Sequence, residues 1–142
     1  MIIILTIIIP LLLLILFIKL HRKTYKKTVA FVGPRGSGKT RCLYKICRNI
    51  AVSTVPTLVS NELIYKDYII KEIVPIKSDD PFVKYGIDEK TIKYFCFIKS
   101  MDDVFDVKDY FIKFVYFGEN NKFSNNVICL NNEPNNLVRF IK

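Results

Sequence analysis

The hydrophobic pattern changes character along the chain. From Ile2 to Ile18 every residue except Thr6 and Pro10 is apolar, and none is charged. Extended to Leu20 past a snorkelling Lys19, this run predicts a helix of roughly 28 Å at about 1.5 Å per residue, enough to cross a bilayer core. Pro10 is tolerated there as a kink. No Lys or Arg precedes the run and no small-residue cleavage site follows it, which ranks a retained span above a signal peptide. Lys19, Arg22, Lys23, Lys26 and Lys27 follow at once. Basic residues on one side predict a cytoplasmic C-terminal part and contact with anionic lipid. The expected division is a transmembrane anchor over 1–20, a basic juxtamembrane linker over 21–27 and a folded domain over 28–142.

Beyond the linker the pattern alternates between strand-like and helix-like. Thr28–Val32 is a short apolar run, read as a buried strand. Cys42, Leu43, Ile46, Cys47 and Ile50 recur at helical spacing. Leu58–Ile64 and Tyr68–Ile76 predict an antiparallel pair with a turn near Lys66-Asp67, and Pro75 means that the second is an edge strand or ends early. A helix is expected over Phe82–Thr91 and a buried strand over Tyr94–Ile98. A second helix is expected from a cap at Ser100 or Asp102 to Gly118, with Val104, Val107, Phe111, Phe114 and Val115 on its apolar face. Val127–Leu130 reads as a strand, and Pro134 opens a last short helix. The expected fold is therefore α/β: a mostly parallel sheet with helices on both faces and one antiparallel edge pair, preceded by one N-terminal transmembrane helix.

Composition narrows the classes. The 142 residues carry 22 Lys+Arg against 13 Asp+Glu, a net charge of +9. Eleven Phe and eight Tyr exclude a disordered chain. The lysines beyond the linker are scattered, so no direct nucleic-acid contact is expected. Cys42, Cys47, Cys96 and Cys129 form no CxxC pair and His21 is the only histidine. Reduced, mostly buried thiols are expected, rather than a disulfide framework or a metal site.

One segment carries chemistry. Gly33-Pro34-Arg35-Gly36-Ser37-Gly38-Lys39-Thr40 completes the pattern G-x-x-x-x-G-K-[ST] between the predicted strand and helix. Successive N–H groups of such a loop form an anion-binding nest, and the following helix adds its positive end. Lys39 is placed to reach the β and γ phosphates and Thr40 to hold Mg²⁺. The Arg35 side chain is given no role. The polar stretch Ser53–Ser60 could bring a threonine to the metal and γ-phosphate, as switch segments do, with Thr57 the first choice and Thr54 the second.

A hydrophobic N-terminal rod, a basic stretch and GPRGSGKT close behind a strand together resemble the beta subunit of the signal recognition particle receptor, a membrane-anchored Arf/Sar-like small GTPase. TVPTLVSNE resembles that family's first switch. KTIKYFCFIKSMDDVFDVKDYFIK resembles the strand and helix after its second switch, and VICLNN the strand before its guanine motif. The resemblance implies a P-loop NTPase fold of the small-GTPase kind, in reduced form, with GTP and Mg²⁺ as ligands. It implies a heterodimer with the receptor alpha subunit and a single-pass place in the endoplasmic reticulum membrane, facing the cytoplasm, where the pair recruits ribosomes for co-translational targeting. The chain departs from the family twice. Val74–Asp80 holds no DxxG. Asn131-Asn132-Glu133-Pro134 keeps the first Asn of NKxD, leaving Asn131 as the base contact and Glu133 as a weaker candidate, but lacks the Asp. Hydrolysis is accordingly expected to be slow or absent. Two alternatives use the same loop: a membrane-anchored ATP-dependent enzyme, which needs a metal-holding acid at the end of an apolar strand, and a pseudo-GTPase that keeps its nucleotide as a structural ligand.

Overall fold

The computed structural model describes residues 2–21, 26–53, 58–107, 109–119 and 126–141. After α1 (Ile2–His21) come β1 (Lys27–Val32), α2 (Lys39–Arg48), β2 (Asn61–Tyr65) and β3 (Tyr68–Glu72). They are followed by α3 (Pro81–Tyr85), β4 (Lys93–Ile98), β5 (Phe111–Tyr116), β6 (Val127–Cys129) and α4 (Val138–Ile141). The six strands form one mixed sheet in the order β2-β3-β1-β4-β5-β6. Only β2 runs antiparallel to its neighbour; β1 pairs parallel with β3 and β4, and β5 parallel with β4 and β6.

Alternation along the two central strands builds two cores. Val29 and Phe31 of β1 and Phe95 and Phe97 of β4 face one side, where they meet Cys42, Leu43 and Ile46 of α2 and Leu137 and Ile141 of the C-terminal turns. Ala30, Val32, Tyr94, Cys96 and Ile98 face the other, against Tyr85 and Ile87. Phe31 sits edge-on to Phe95, ring centroids 6.0 Å apart, a favoured aromatic geometry. Both faces of these strands are buried, which is why their sequences read as continuous apolar runs.

The expected fold class is corrected on several counts. Among the described residues no helix is long and apolar enough to cross a membrane. The helix α1 exists, but Pro10 lies inside it and Lys19 and His21 occupy its last turn. The fold described is also far smaller than a GTPase domain. The helix expected from Ser100 to Gly118 is a single 3₁₀ turn at Met101–Asp103 followed by β5. Within β5, Phe114 belongs to one core and Val115 to the other. A segment buried on opposite sides at successive residues is served by a strand, not by the single stripe of a helix. The expected helix over 82–91 stops at Tyr85, because Gly86 turns left-handed (φ 62°) and its N–H closes back on the preceding turn. The sheet's second face is thus covered by one short helix and the irregular chain around Phe105. Of the antiparallel pair it is β2 that lies at a sheet edge; β3 lies between β2 and β1 and ends early, at Glu72, so that Pro75 falls beyond its ladder.

Asp80 caps α3, its Oδ1 accepting the Phe82 N–H at 2.9 Å. Asp80→Ala is expected to cost about 1 kcal/mol, read as a small fall in the denaturant midpoint.

Candidate functional site

The glycine-rich loop leaves β1 at the carboxyl end of the sheet and enters α2 directly, so its geometry is set by two central elements. Gly33 has φ 126°, and a Cβ there would lie 2.1 Å from the carbonyl oxygen of Phe97. Only glycine lets the loop rest on the backbone of β4. Gly38 caps α2 with φ 93° and offers no side-chain acceptor to the helix's first N–H groups. Those donors face the loop, which suits an anion.

Lys39 is 5% exposed. Its Nζ donates to the carbonyls of Gly33 at 2.8 Å and Pro34 at 2.7 Å, while the Ser37 hydroxyl donates to Pro34 at 2.9 Å. Burial lowers the Lys39 pKa to about 8, against an opposing pull from Glu72; Lys99 and Arg35 add to the lowering. The lysine is therefore a desolvated cation held by the loop's own carbonyls, in a place where a phosphate would restore its charge.

The feature missed in the sequence is Glu72. It ends β3, is 1% exposed, and accepts the Thr40 hydroxyl proton at 2.5 Å on Oε1 and the Asn61 amide at 3.1 Å on Oε2. Parallel pairing of β1 with β3 sets Glu72 beside Phe31, and the loop that follows β1 then folds Thr40 onto it. In the sequence Glu72 looks like a solvated charge near the end of an apolar run. The available signal was its type and place, an acid where a strand ends. Asp103, past the end of the apolar strand β4, is committed to local backbone, accepting from the N–H groups of Lys99 and Ser100.

Thr40 and Glu72 suit Mg²⁺, which is held by a few oxygen ligands together with substrate phosphates rather than by an all-protein cage. Among the described residues no three His, Cys, Asp or Glu side chains gather at one point. Thr54 and Thr57 lie outside the described residues.

Asn131 stands in the turn after β6, exposed, with φ 51°. Its N–H donates to Gly118 at 3.2 Å and that of Asn132 to Phe117 at 2.8 Å. These bonds lock the ends of β5 and β6 together at the sheet end that carries the phosphate loop. Asn131 and Glu133 thus share that end with Gly33–Thr40, and Glu133 lines a cavity of about 270 Å³ with Arg41, Lys45 and Ala51. All four cysteines are free; burial raises the thiols of Cys42 and Cys96, the latter to about 12, so neither is a nucleophile. No family model matches the chain, and no curated protein matches it.

Proposed function

We propose that this chain binds a nucleoside triphosphate with Mg²⁺. The backbone amides of Gly33–Thr40 receive the phosphates, Lys39 neutralises the β and γ groups, and Thr40 and Glu72 hold the cation. The observation that carries this reading is the Thr40–Glu72 hydrogen bond. A chance glycine-rich turn explains the loop but not a buried carboxylate, from another strand, on the one hydroxyl the motif assigns to metal. When bound, the cation supplies charge neutralisation between phosphate oxygens. The chain's own residues bind and orient.

Glu72→Gln keeps the hydrogen-bonding shape and removes the charge. Triphosphate affinity with Mg²⁺ present is expected to fall about tenfold, since hydrogen bonds to charged groups are worth about 1.5–3 kcal/mol; with the metal chelated, affinity should stay level. Calorimetric titration reads both. Equal affinities for the variant and the natural chain in Mg²⁺ would remove the metal role.

The finer proposal takes GTP as the ligand and the signal recognition particle receptor alpha subunit as the partner. It is supported by the loop and by the resemblance of the flanking segments; the membrane anchor forms no part of it. Its check is retention of the alpha subunit's N-terminal domain by the GTP-loaded chain and not by the nucleotide-free one. The second reading, an ATP-dependent protein, is favoured by Glu72 itself, which supplies the strand-end acid that reading requires.

A further inference from the structure

Arg41 follows Thr40 and points away from the core. It lines both the cavity of about 270 Å³ beside Glu133 and a cavity of about 390 Å³ formed with Gly38, Lys99, Tyr116 and Phe117. Its guanidinium carbon stands 5.1 Å from the centre of the Phe117 ring. That ring is itself seated: a Cβ on Gly38 would meet its Cδ2 at 2.9 Å, and the Phe117 carbonyl is tied to Asn132. Phe117 therefore rests on the phosphate loop, and the Arg41 guanidinium stands over the Phe117 ring. Among the described residues Arg41 has no ion pair.

We propose that Arg41, backed by Phe117, is the platform on which the base of the bound nucleotide stacks, so that adenine and guanine nucleotides bind alike. This rests on the triphosphate reading above. Planar guanidinium groups stack on bases, and stacking is indifferent to the pattern of donors on the base edge. Among the described residues the larger cavity is lined by no carboxylate or carboxamide side chain, the groups that would pair with the guanine edge. The charge of Arg41 adds to that of Lys39 and Lys99 around the phosphates, which is why its substitution must separate plane from charge.

The experiment compares inorganic tripolyphosphate, ATP and GTP, each with Mg²⁺, on the full chain and on Arg41→Lys. The natural chain is expected to bind ATP and GTP within about tenfold of each other, and both about tenfold or more tighter than tripolyphosphate, the gain stacking supplies. Arg41→Lys keeps the charge and loses the plane. It should weaken both nucleotides about tenfold and leave tripolyphosphate within about twofold. A GTP preference above tenfold would assign the base to an edge-reading group such as Glu133 and overturn the platform, as would an Arg41→Lys chain with unaltered nucleotide affinity. If tripolyphosphate binds but a base adds nothing, the platform falls and the loop reading stands. If none of the three binds, the loop reading falls and takes the platform with it.

Discussion

Gly33→Ala should destabilise the protein by about 3–5 kcal/mol, the sum of backbone strain and a clash that no side-chain rotation relieves. The added methyl would stand 2.1 Å from the Phe97 carbonyl oxygen, on a residue whose φ is 126°. Both obstacles are backbone. Phe97 belongs to β4, paired on both sides in the middle of the sheet, so it cannot yield without breaking ladder hydrogen bonds. Chemical denaturation should show a much lower midpoint, and the surviving folded fraction should bind no triphosphate because the loop no longer seats. Arg35→Ala, an exposed position on the same loop, should stay within about 0.5 kcal/mol. Equal midpoints for the two variants would mean that the loop does not rest on β4.

Lys39→Met should lower triphosphate affinity at pH 7 about a hundredfold, the loss of a charge-assisted contact to two phosphates. The same residue sets a pH dependence. With its pKa lowered to about 8 in the ligand-free fold, the amine is charged at pH 7 and mostly neutral at pH 9.5. Affinity should fall across that interval. Binding above pH 8 should take up a proton, because the phosphates raise the pKa again; titrations in buffers of different ionisation enthalpy measure this directly. The stability of the ligand-free protein has the opposite slope. The group titrates near 10.5 when unfolded and near 8 when folded, so between those values the unfolded chain holds more protons and this residue's contribution to stability rises with pH. In Lys39→Met both slopes should vanish. A natural chain whose affinity is flat from pH 7 to 9.5 would show that the amine is not the phosphate contact.

Much of the architecture was legible wherever a segment's own pattern agreed with its place. Thr28–Val32 and Tyr94–Ile98 are apolar at every position or nearly so, and a short run of that kind suits only a strand buried on both faces. The turn at Lys66-Asp67 was legible because two β-branched runs flank two polar residues. The reading failed at Phe111–Tyr116, where Val104, Val107, Phe111 and Phe114 fall at helical spacing although they occupy a loop and a strand. Periodicity over so short a stretch does not distinguish a stripe from alternate faces, and pairing with β4 and β6 decided it. It failed again at α1, which forms as a helix where one was expected, although among the described residues no helix is long and apolar enough to cross a membrane.

The site divides in the same way. The strand, the glycine-rich loop and the helix behind it are contiguous, so local chain geometry alone dictates a nest of amides with Lys39 and Thr40 at its edge, and a sequence is sufficient to find it. Glu72 meets Thr40 from 32 residues away, and Phe117 meets Arg41 from 76 residues away. They meet because parallel pairing sets the carboxyl ends of β3, β1 and β5 along one rim of the sheet. Strand order and register are properties of the packed whole, settled by which faces can be buried together, and no local pattern contains them.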